Sequence, residues 1–139
     1  MENNEILSAF VAKNPYISSL HQEADNIQSV MDVPANLLDP ASLTSRLRDL
    51  DVYMARLSDM MIRAKAMKDR AKNDFIIANE ERINKMTATV ANRLIDTELF
   101  EYNTLYTRLD TMYHTIEHLT RDLVTQISYI KKQFESFGG

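Results

Sequence analysis

Residues 43–82 read LTSRLRDLDVYMARLSDMMIRAKAMKDRAKNDFIIANEER, and one stripe runs through them at alternating steps of four and three. Its positions are Leu43, Leu47, Leu50, Met54, Leu57, Met61, Ala64, Lys68, Ala71, Phe75, Ala78 and Arg82. That period is helical, and holding one register over more than five heptads marks a coiled-coil-like rod. One column of the repeat passes from Leu43, Leu50 and Leu57 to Ala64, Ala71 and Ala78, so a neighbouring helix can approach closely along its second half. Forty helical residues extend about 60 Å at a rise of 1.5 Å each. A rod that long cannot cover its own apolar stripe.

The surrounding sequence strengthens this reading. Between Ala41 and Phe137 lie 97 residues with neither Gly nor Pro. Sheets need tight turns, and tight turns need residues that reach positive φ or preset a bend. Upstream, Asp39-Pro40 is a helix start, with a carboxylate to cap free N–H groups and a proline at the first helical position. Downstream, Tyr102, Leu105, Leu109, Met112, Ile116, Leu119, Leu123, Gln126, Ile130, Gln133 and Phe137 keep register in a second long helix. Tyr106, Tyr113, Ile127 and Phe134 flank that stripe and make its apolar face wider than a two-stranded seam requires. The reversal between the rods falls within 83–97, with Thr87 as a cap for a short helix through Leu94 and Asp96 or Thr97 as a cap for the next.

The expected architecture is therefore all-α: a long antiparallel helical hairpin over 41–139, preceded by an acidic leader, 1–40, with a short helix. In that leader Ile17, Leu20, Ala24, Ile27 and Val30 or Met31 recur at helical spacing between Pro15 and the breaker Asp32-Val33-Pro34. Packing, either between the rods of the hairpin or between copies in an oligomer, is assigned to Leu47, Leu50, Met54, Leu57, Met61, Phe75, Leu105, Leu109, Met112, Ile116, Leu119, Leu123 and Ile130. A two-helix hairpin leaves half of each stripe poorly covered, so the chain is expected to be a homo-oligomer.

Composition narrows the class. Apolar residues make up 45% and charged residues 26%, the balance of a folded water-soluble domain. The net charge of −4 is uneven, since residues 1–40 hold six acids and one base and the helical body is nearly neutral. There is no cysteine, so a disulfide framework or thiolate metal site is impossible. The acidic start Met1-Glu2-Asn3-Asn4-Glu5 lacks the basic end and apolar core of a secretory signal, and no apolar run nears the ~20 residues that span a bilayer. A cytoplasmic protein is expected, with no membrane association.

Candidate chemistry is sparse. His114-Thr115-Ile116-Glu117-His118 matches H-x-x-E-H, a zinc-peptidase pattern that puts two imidazoles on one helix face. A catalytic zinc also needs a third protein ligand, and the only acids after His118 are Asp122 and Glu135, both on the same helix, so the match reads as coincidence. The body has no glycine for a phosphate loop, and no serine sits in an activating arrangement. No catalytic residue, metal, cofactor or small-molecule substrate is expected, and the chain is not read as an enzyme.

Two surface features remain. Arg56, Arg63, Lys65, Lys68, Arg70 and Lys72 share residues 56–72 with only Asp59 and Asp69, a balance of +4. Spacing puts Arg56, Arg63 and Arg70 in one column and Lys65 and Lys72 in another, a natural match for a phosphate backbone. A solvated helix face accounts for the same residues. On the last helix Thr97, Thr104, Thr111 and Thr125 form an outward column with His118, either a protein-contact surface or compositional drift.

In layout the chain resembles small phage-encoded accessory proteins, with the recombination mediator family of T-even phages as the named relative. The resemblance covers roughly residues 43–133 and is one of pattern: Leu50-Asp51-Val52-Tyr53 leads into the basic helix, and Ile95-Asp96-Thr97-Glu98-Leu99 is similar to the start of that family's later helix. It implies an oligomeric, non-enzymatic mediator in a bacterial host cytoplasm that binds single-stranded DNA and helps load a recombinase. The DNA-contacting helix would fall on Arg63, Lys65, Lys68, Arg70 and Lys72. The acidic balance, with a pI near 5.3, departs from what such a protein is expected to show. Two alternatives stand beside it: a phage-encoded inhibitor of a host nuclease or defence complex, and a structural coiled-coil subunit.

Overall fold

The computed structural model describes residues 15–34 and 39–138. The acidic N-terminal stretch before Pro15 lies outside them. Five helices and no strand occur among the described residues: α1 Pro15–Met31, α2 Pro40–Ala78, α3 Glu80–Asn84, α4 Ala88–Glu98 and α5 Phe100–Gly138. The all-helical class follows the sequence. So does the entry to α2, where Asp39 accepts from the Ala41 N–H at 3.2 Å and Pro40 takes the first helical position.

Helices α2 and α5 pack along their lengths and run antiparallel. Leu50 lies near Leu119 and Leu123, Met54 meets Thr120, and Lys65 lies near Tyr106, so one number rises as the other falls. Helix α1 lies against both. Its Glu23 pairs with Arg56 and its Val30 carbonyl with Arg46, so it runs opposite to α2 and alongside α5.

The core sits where these three helices meet. Ile17, Leu20, Ala24, Ile27 and Met31 of α1 close over Leu43, Leu50, Leu57, Met60 and Ala64 of α2 and Leu105, Leu109, Met112, Ile116 and Leu123 of α5. Leu43, Leu57, Leu105, Leu109 and Ile116 are fully buried. At about 1.5–3 kcal/mol per buried large aliphatic side chain, this cluster is the main favourable term holding α1 down. Within the leader, α1 is therefore a third wall of the core. Beyond Ala64 burial fades along α2, with Lys68, Ala71 and Phe75 half-buried and Ala78 exposed.

The connection departs from expectation in two places. The stripe predicts unbroken helix to Arg82, but α2 stops at Ala78. Asn79 leaves helical geometry at φ −121° and ψ 23°, and its side-chain amide donates to the Phe75 carbonyl at 2.9 Å. Asn competes for backbone partners in this way, so it can end a helix without Gly or Pro. Thr87 caps α4 as expected, its hydroxyl accepting from the Val90 N–H at 3.4 Å. Neither Asp96 nor Thr97 caps the next helix, however. Both lie inside α4, which runs to Glu98, and α5 starts after Leu99, whose N–H reaches the Ile95 carbonyl at 3.0 Å. Leu99 is 2% exposed and leaves helical geometry at φ −93° and ψ 7°. In the first turn of α5, Glu101 is the one buried charged residue among those described. Free N–H groups at a helix start favour a carboxylate there.

Candidate functional site

The α2–α5 pair has two unlike faces. The face toward α1 holds the fully buried leucines. The other is a groove of about 250 Å³ lined by Ser58, Met61, Ile62 and Lys65 from α2 and Tyr106, Asp110, Tyr113 and His114 from α5. No residue of α1 lines it. Met61, Tyr106 and Tyr113 are half-buried, as is Met54 one heptad before Met61, while Ile62 at the rim is 67% exposed. Thioether and aromatic side chains of this kind present large adaptable apolar area, which is why they recur at contact surfaces.

Local geometry fixes the rims. His114 Nε2 lies 3.4 Å from Asp110 Oδ1 one turn earlier, and its ring meets Tyr113 edge-on with centroids 5.9 Å apart. Glu117 pairs with Arg121 at 3.7 Å. The α5 rim thus carries Asp110, and the α2 rim carries Lys65, which makes no ion pair among the described residues.

The six basic residues of 56–72 do not share one face. Arg56 is held by Glu23 of α1, and Arg63 Nε lies 3.0 Å from Asp59 Oδ2. Those two, with Ala55 and Met60, line a shallow depression on the α1 flank. Lys65 lies on the opposite flank, in the groove with α5. Arg70 and Lys72 are exposed and Lys68 is half-buried, all three without an ion pair among the described residues.

The remaining candidates also find their places. Of the packing residues, Leu50, Leu57, Leu105, Leu109, Met112, Ile116 and Leu123 are buried; Leu47, Met54, Met61, Phe75, Leu119 and Ile130 are half-buried. His114 and His118 are exposed, and among the described residues no three His, Cys, Asp or Glu side chains are grouped to hold a metal. Apart from half-buried Thr120, the threonines of α5 and its approach are exposed, and Thr97, Thr104, Thr115 and Thr125 each return the hydroxyl to the carbonyl four residues back at 2.8–3.1 Å. A second hollow, of about 440 Å³, lies beside the end of α1 between Met31, Leu50, Leu119 and Leu123. Its lining has no Ser, Thr or His, and its Arg46 is engaged with α1 carbonyls. No described helix is long and apolar enough to cross a membrane.

Sequence reasoning singled out Tyr106 and Tyr113 as a flanking column but passed over Ile62, Asp110 and Ser58. The available signal was Ile62 itself, a large apolar residue standing off the stripe. Comparison of the chain with protein-family models, curated proteins and solved structures gives no match.

Proposed function

We propose that this chain is a non-enzymatic helical adaptor, a coiled-coil-like antiparallel hairpin that assembles with copies of itself through its long helices. The observation that carries this reading is the uncovered groove, where Ile62 is 67% exposed beside half-buried Met61, Tyr106 and Tyr113. Covering such apolar side chains on association is favourable. Light scattering at micromolar concentration tests the reading. A multiple of the 16.1 kDa chain mass is expected, and a monomer at every concentration would remove it.

A polyanion, single-stranded DNA by the mediator resemblance, is the second reading. It draws support from Lys65, Arg70 and Lys72, which are exposed and without ion pairs among the described residues. Arg56 and Arg63 contribute less, because Glu23 and Asp59 already neutralise them. Fluorescence anisotropy with a labelled oligonucleotide should show affinity that falls steeply with salt and is lost when Lys65, Arg70 and Lys72 become Glu. Absence of binding at low salt removes this reading and leaves the first intact.

A further inference from the structure

Self-assembly does not by itself say which face meets which. We infer that the α2–α5 groove is closed by the same groove of a second copy, about a two-fold axis parallel to the helices. This rests on the adaptor reading and adds the face, the occupant and the register.

Charge placement selects the occupant. Lys65 and Asp110 line the same groove, so they stand at one level along the bundle, the base on the α2 rim and the acid on the α5 rim. A half-turn about an axis parallel to the helices keeps every residue at its level and exchanges left for right. Helix α2 then lies against α5 of the second copy. Lys65 meets Asp110 of the second copy, and the reciprocal contact forms at the other rim. A foreign helix of one charge sign would be attracted by one rim and repelled by the other. A copy of this chain carries both signs at the required level.

Apolar placement agrees. Ile62 stands at the α2 edge, two-thirds exposed, while Tyr106 and Tyr113 are half-exposed on α5 at the same level. In the two-fold arrangement Ile62 lands between Tyr106 and Tyr113 of the second copy, and Ser58 leaves room beside it. Each α2 is antiparallel to both α5 helices it touches, the neighbour relation of an up-down four-helix bundle. Helix α1 of each copy remains outside on the far faces.

The test uses the full chain at low salt, because rim ion pairs are screened. Ile62 is 67% exposed, so Ile62→Glu should keep the helical circular-dichroism signal while weakening association by at least about tenfold. Lys65→Glu alone puts like charges at both rim contacts, and so does Asp110→Lys alone. Mixed in equal amounts, these two variants place opposite charges at both contacts and should restore the wild-type mass. Weakening by each single variant with rescue on mixing establishes the arrangement. Weakening without rescue overturns the two-fold register. An oligomer indifferent to all three substitutions overturns this face while self-assembly stands, and a monomeric wild type overturns both.

Discussion

The guanidinium of Arg108 on α5 donates from one nitrogen to the ring Nδ1 of His21 on α1 at 3.0 Å and to the His21 carbonyl oxygen at 3.3 Å. Its other nitrogen pairs with Asp25 one turn further along α1. An arginine can only donate, so Nδ1 must offer its lone pair and the imidazole is neutral with its proton on Nε2. Burial first, and then the charge of Arg108, hold the His21 pKa below its usual 6.5, while Asp25 pulls it the other way.

The linkage has a definite sign. His21 binds its proton less readily folded than unfolded, so the unfolded chain takes up the proton first as pH falls. Stability is complete above the unfolded value of 6.5 and declines as pH drops from there toward the folded value. Melting temperature should fall between about pH 7 and about pH 5, before most carboxylates titrate. His21→Gln keeps an acceptor for Arg108 and cannot ionise, so its melting temperature should vary less over that range. Equal slopes for both proteins would show that His21 is not linked to folding.

Arg46 holds the other end of α1. Its Nη1 donates to the Val30 carbonyl at 2.9 Å and its Nη2 to the Met31 carbonyl at 2.6 Å. Carbonyls in the last turn of a helix lack intrahelical partners, and a cation there also suits the helix dipole. Arg46→Ala should cost about 1.5–3 kcal/mol, the range for hydrogen bonds to a charged group. Arg46→Lys should recover part of that, since an ammonium cannot fork between two carbonyls. Amide exchange will show the location: α1 amides should quicken first, ahead of α2 and α5.

Two exposed threonines of α5 should prove dispensable. Thr104 and Thr125 satisfy their hydroxyls on the Phe100 and Arg121 carbonyls of their own helix, so neither side chain holds the fold. Alanine is the better helix former by up to about 0.7 kcal/mol per residue. The double Thr104→Ala, Thr125→Ala variant should therefore be as stable as wild type or slightly more so in urea unfolding, with the same assembly mass. A change in mass would show that this column is a contact surface.

What could be read from sequence is what a single partner per helix would dictate. Leu50, Leu57, Leu105 and Leu109 are core because a 3.5-residue period has one inward face. The same logic misassigns emphasis at 60 and 61. Met61 is in the seam register yet half-buried, whereas Met60 is 2% exposed, because α1 docks on the Met60 side and the Met61 side stays open. Arg108 and His21 meet across 87 residues of sequence, and no local pattern announces such a pair. The break at Asn79 was hidden for a different reason: it depends on one side-chain amide returning to Phe75, not on a residue whose backbone cannot be helical. The groove was half legible. Tyr106 and Tyr113 widened the stripe visibly, but the split of the basic columns onto opposite flanks of α2 needed the positions of α1 and α5.

Ala24 and Leu57 test whether α1 belongs to the core. Both are at 0% exposure within one cluster, a small residue on α1 and a large one on α2. With α1 docked there is no space beyond the Ala24 methyl group, so Ala24→Leu forces neighbours off their rotamers and should cost about 1–3 kcal/mol. Leu57→Ala removes buried methylenes and leaves a cavity, at about 2–5 kcal/mol. Loose contact of α1 predicts the opposite pattern at Ala24. An added isobutyl group would then find apolar surface without strain, and Ala24→Leu would be neutral or stabilising. Urea unfolding of the two variants beside wild type separates these outcomes, and a stabilised Ala24→Leu protein would remove α1 from the core.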